Sequence, residues 1–98
     1  MNLATVYDLS ILVNDSERMV LEELGYRLDS ASVDGLCTCQ DCVLDIAVLA
    51  LNSLKPHYHA SLLGTMYAQA ESIRGYSDDV KHAVDDAIMK VRAQPRHP

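Results

Sequence analysis

Three cysteines fall within six residues, CTCQDC at 37–42, and a stretch apolar on nearly every side, QDCVLDIAVLALNSL over 40–54, overlaps them and runs on behind. Together these constrain the fold more than anything else in the chain. A helix apolar all round is buried all round, so 40–54 reads as the central helix, and Pro56 ends it. The spacing C-x-C-x2-C sets Cys42 in the first turn of that helix. Free backbone N–H groups and the helix dipole favour a thiolate there, the form that binds metal. Zinc takes tetrahedral sets of thiolate and imidazole, and a structural site is closed by four protein ligands. Cys37, Cys39 and Cys42 can supply three corners. Two other readings stay open: three buried thiols without metal, and a redox C-x-x-C pair of Cys39 and Cys42. A disulfide between Cys37 and Cys39 would be strained at that separation.

The fourth corner must come from elsewhere. A central helix of 15 residues is about 22 Å long, and His57 and His59 follow its far end. His82 faces solvent by pattern. His97 sits on the tail after the last helix, where it either folds back to the cluster or stays a free terminal residue.

Around the central helix the pattern is helical throughout. NDSERMVLEELGYRLD, 14–29, reads as a first helix, with Asn14 as cap and Glu17 reaching back in a capping box. Met19, Val20, Leu21, Leu24 and Leu28 are its apolar stripe. Gly25 within it costs about 1 kcal/mol against Ala, which points to close packing or an irregular end. Residues 3–12, LATVYDLSIL, read as a short lead-in helix. KPHYHAS is a connector, 62–74 a third helix, and SDDVKHAVDDAIMKVRAQ, 77–94, a fourth with Ser77 or Asp78 as cap. Val80, Ala83, Val84, Ala87, Ile88 and Val91 form the stripe of that helix. Asp78 and Asp79 suit its positive end, Lys90 and Arg92 its negative end. No period-2 strand stands out. The expectation is an all-α fold: a compact bundle of four main helices with a zinc site at the N-terminus of the buried central helix. It is one domain, 1–98, with 1–13 a lead-in and 94–98 a C-terminal tail.

Composition sets the limits. There is no Phe and no Trp, so Leu, Val, Ile, Met and Tyr must fill the core. Domains of this size often add a metal or a partner subunit. A formal net charge of -6 argues against a nucleic-acid backbone as main ligand. No apolar run reaches membrane-spanning length, and neither a leader nor a paired-cysteine framework is evident. The expectation is a cytoplasmic protein without direct DNA or membrane binding. The acidic pairs Glu22–Glu23, Asp78–Asp79 and Asp85–Asp86 read as solvated helix faces or helix starts. No catalytic triad, phosphate loop or H-E-x-x-H is present, and a closed zinc site leaves no position for substrate; an enzyme is not expected.

The segment CTCQDCVLDIAVLALNSLKPHY resembles the central segment of the late-competence ComFB family: the cysteine cluster, Asp45, the AVLALN run ending at Asn52, then Pro56 and Tyr58. Asn14, Glu17 and Val20 resemble the family's N-terminal N-x-x-E-x-x-V helix, and the tail PRH its usual ending. The resemblance spans 14–97. It implies a small, helical, zinc-binding homodimer with structural zinc on Cys37, Cys39, Cys42 and His97. It also implies a receptor for cyclic dinucleotides, c-di-GMP and in some members c-di-AMP, in motility or competence signalling, passing its state to a protein partner not identified by the sequence. Asp45, one turn past Cys42, either accepts a hydrogen bond near the metal or bonds backbone.

The connector departs from the family's L-P-P-R-Y-V-x-T. Here the text is LKPHYHAS: Lys55 stands for the first Pro, His57 for Arg, His59 and Ala60 for the next pair, Ser61 for Thr. Arg offers a planar fork to phosphate or guanine and His does not. Lys55 restores a charge, and Tyr58 offers a stacking surface or simple packing. Lys55, His57 and Tyr58 are therefore the candidate nucleotide contacts. The alternative is a zinc-stabilised dimeric interaction module that binds no nucleotide.

Overall fold

A computed structural model describes residues 1–30, 35–60 and 76–95. In chain order these form α1 (Leu3–Val6), β1 (Val13–Asn14), α2 (Asp15–Leu28), α3 (Gln40–Asn52), β2 (Tyr58–His59) and α4 (Tyr76–Ala93). The expected helix over 62–74 lies outside the described residues.

The three long helices pack on one another, with the most extensive contact between α3 and α4. From α2 come Val20 and Leu24, from α3 Cys42, Ile46, Ala47 and Ala50. The expected stripe of α4, Val80, Ala83, Val84, Ala87, Ile88 and Val91, is buried in full. Four of these core residues are alanines, two on each of α3 and α4, and small side chains let helix axes approach closely. Arg27 ties the edge of the α2–α4 contact, bonding Glu23 on its own helix at 2.9 Å and Asp85 on α4. The bond to Asp85 holds the guanidinium still more firmly protonated than usual.

Several expectations need correction. The fold is mostly helical but not all-α, because β1 and β2 pair antiparallel, Val13 with His59 and Asn14 with Tyr58. Two-residue strands are too short for any alternation to register. Pro56 disfavours helix for Lys55 and sends the connector out extended, towards β1. The central helix is not covered on all sides: Leu44, Val48 and Leu49 are exposed. On α2, Leu21 is exposed as well, while Met19 and Leu28 are partly buried. The expected lead-in helix is a single turn, and every residue of 1–13 is exposed. Helix α4 begins at Tyr76, so Ser77 and Asp78 lie inside its first turn rather than at its cap. Nor is the molecule compact. Its Cα radius of gyration is 15.7 Å, against about 12.6 Å for a compact chain of this length. No described helix is long and apolar enough to cross a membrane.

Candidate metal centre

The cysteine cluster is built by a turn and a helix start. Gly35 takes φ +81°, a conformation that favours glycine. Leu36 then enters the core. Cys37 is half-buried, Cys39 exposed and Cys42 buried. Cys39 is the N-cap of α3, with extended backbone, and its Sγ accepts the N–H of Cys42 at 3.5 Å. It thus occupies the place that Ser, Asp or Asn usually takes at a helix start. The helix dipole there favours negative charge. Leu36 on one side and Cys42 on the other fix both ends of the segment in the core.

This folding brings the three Sγ atoms within 4.8 Å of one another, and none is in a disulfide. In a tetrahedral site with metal–sulfur bonds of about 2.3 Å, the sulfurs stand about 3.8 Å apart. Small side-chain rotations bring the cluster to that spacing, so the donor set fits a thiophilic metal such as zinc. Among the described residues no fourth His, Cys, Asp or Glu joins the group. His97 lies outside the described residues. Asp45 is half-buried on α3 and is not one of the gathered donors.

The connector residues are placed differently. Lys55 is exposed, and its carbonyl accepts from Ser16 Oγ at 2.8 Å and from Tyr76 Oη at 3.2 Å. The His57 ring lies 4.1 Å from the Tyr76 ring, centroid to centroid, at 36°. Lys55 and His57 share a cleft with Tyr76, Asp79, His82 and Asp86. Tyr58 is 61% exposed and faces a different groove, with Leu12, Val13, Arg18 and Leu21. Within one chain, then, the three candidate nucleotide contacts do not converge on one site.

Sequence reasoning overlooked the other side of the connector. Asn14 caps α2 as expected, accepting from Ser16 N at 3.1 Å. The same Oδ1 also accepts the N–H of His57 at 2.8 Å, and Asp15 N donates to His57 O at 2.9 Å. His59 Nε2 meets Asp15 Oδ1 at 3.0 Å. Glu17, the expected capping-box partner, is exposed. The sequence signal was present in part: two histidines follow a helix-ending proline, and an Asn-Asp pair opens α2. Nothing in the spacing linked them.

Comparison with known proteins agrees with this architecture. A solved structure of the late competence protein ComFB from Bacillus subtilis is similar, with TM-score 0.68 and 27% identity. The similarity covers 86% of this chain and 91% of that one. No curated protein sequence matches. The family model for the late competence development protein ComFB matches residues 13–95, from the first strand to two residues past the end of α4, and the chain belongs to that family.

Proposed function

We propose that this chain is a small regulatory protein stapled by structural zinc, acting as a cytoplasmic homodimeric receptor for a cyclic dinucleotide, c-di-GMP foremost. The zinc part rests on one observation: three thiol sulfurs gathered within 4.8 Å at the N-terminus of a core helix. Zinc on Cys37, Cys39 and Cys42, with His97 as fourth ligand, would tie the start of α3 to the tail behind α4. The metal supplies cross-linking rather than chemistry, since a closed site holds no open position.

The receptor part rests on the resemblance of the central segment and on Tyr58, whose exposed ring shares a groove with Leu12, Leu21 and Arg18, and also with Glu17 and Glu22. A base can stack on such a ring, and a phosphate that reaches Arg18 would have to displace Glu22, which the guanidinium meets at 3.1 Å. The exposed segment 1–13, carrying Leu3, Val6, Tyr7, Leu9, Ile11 and Leu12, supports a dimer, as do Leu44, Val48 and Leu49 on α3. A two-fold dimer would offer equivalent grooves to a two-fold messenger. Lys55 and His57 remain candidate contacts from the neighbouring cleft.

A second reading is favoured by that cleft. Asp79 and Asp86 line it beside Lys55 and His57, as Glu17 and Glu22 line the Tyr58 groove, and carboxylates repel phosphate. On this reading the protein is a zinc-stabilised interaction module without nucleotide. Native mass spectrometry with and without c-di-GMP separates the two. A zinc-loaded dimer that gains nucleotide mass supports the receptor. A zinc-loaded dimer that gains none, with no heat in calorimetry at tens of micromolar c-di-GMP or c-di-AMP, leaves the interaction module.

A further inference from the structure

We infer that the cysteine cluster is also an oxidation site, in which Cys39 and Cys42 close a disulfide that expels the metal. This rests on the zinc reading above. The two residues are three apart at a helix start, and their Sγ atoms belong to a group within 4.8 Å. Residues one helical turn apart fall within the Cα separation of about 4.4–6.8 Å that a disulfide bridges. Their environments differ in the way a dithiol couple requires. Cys39 is exposed at the N-cap, where an oxidant in solution reaches it, while Cys42 is buried in the first turn. The Cys42 N–H already points at Cys39 Sγ, so the backbone holds the two together. Cys37, two residues before Cys39, is too close in sequence for an unstrained bridge to it.

With a peroxide as oxidant the chemistry balances. Cys39 Sγ attacks one peroxide oxygen, an S–O bond forms, the O–O bond breaks, and the departing hydroxide leaves as water after taking a proton. Cys42 Sγ then attacks the Cys39 sulfur. The S–S bond forms, the S–O bond breaks, and a second water leaves with a second proton. Two electrons pass from the sulfurs to peroxide. The nearby Cys42 diverts the sulfenic acid from further, irreversible oxidation. Two thiolates are lost from the donor set at once, so the metal keeps only Cys37 and the fourth group. A dithiol reductant reverses the step by exchange.

The test uses the full chain. Zinc loading of the reduced protein is measured first by native mass spectrometry. Hydrogen peroxide is then added beside a chromogenic zinc chelator, and remaining thiols are alkylated and mapped. The expected result is stoichiometric zinc release, a mass lower by two hydrogens, Cys37 as the sole alkylated cysteine, and recovery on adding dithiothreitol and zinc. A Cys37→Ser chain should still form the bridge, and a Cys42→Ser chain should proceed to sulfinic acid at Cys39. An unloaded reduced chain defeats the zinc reading and this proposal together. A loaded chain that keeps its zinc under peroxide, or loses it with Cys42 still alkylatable, leaves zinc standing and overturns the switch alone.

Discussion

Ser16 is 1% exposed and is the buried polar residue of the core among the described residues. Its hydroxyl donates to Lys55 O and contacts Tyr76 Oη, which also reaches Lys55 O. Two hydroxyls and one carbonyl thus join α2, the connector and α4. Either hydroxyl alone still satisfies Lys55 O. Tyr76→Phe or Ser16→Ala should therefore cost only about 1 kcal/mol, and lower Tm by about 4–8 °C in a domain of this size. Calorimetric melting checks both. Gly25 gives the opposite sign. A Cβ there would meet nothing within 4 Å, so of the two readings of Gly25, close packing or an irregular end, close packing is absent. Gly25→Ala should stabilise the protein by about 0.8–1.0 kcal/mol through helix propensity, read as a higher urea midpoint. Neither residue was legible beforehand. A serine in a first turn reads as exposed when its partners are Lys55 and Tyr76, and a glycine's neighbours are set by folding.

Helices were legible where one face decides their place. The α4 stripe came out whole because its apolar positions recur at 3.6 residues and its other face is charged. Helix α3 lacks that contrast. Its periodicity marks a helix but does not rank its faces, so Ile46 and Val48 look equivalent in the sequence. In the structure Ile46 is fully buried and Val48 is 53% exposed. Ile46→Ala should therefore cost about 2–5 kcal/mol, whereas Val48→Ala should stay within about 0.5 kcal/mol. Urea denaturation of the pair would reveal an error in the assigned face. The thiol cluster was legible for a different reason. Three ligands within six residues are brought together by local turns, which sequence spacing encodes directly. The pairing of β1 with β2 joins segments far apart in the chain, and only tertiary structure discloses it.

At the scale of the molecule, the gap between 15.7 Å and the compact expectation comes with a lead-in of which every residue is exposed. A core of this size gains most from a cross-link. Stripping metal with a strong chelator should lower Tm by at least about 10 °C, and restored zinc should return it; an unchanged melt would exclude a structural metal. Val48→Asp should shift sedimentation from dimer to monomer if the outer face of α3 is the seam between subunits. The double use of Asn14 Oδ1 also has a temporal side. The atom that starts α2 accepts an N–H from His57, 43 residues downstream. On the ribosome, α2 emerges well before the segment that completes its first turn. That turn should stay frayed until the connector arrives, and the Ser16 and His57 amides should then gain protection from hydrogen exchange together.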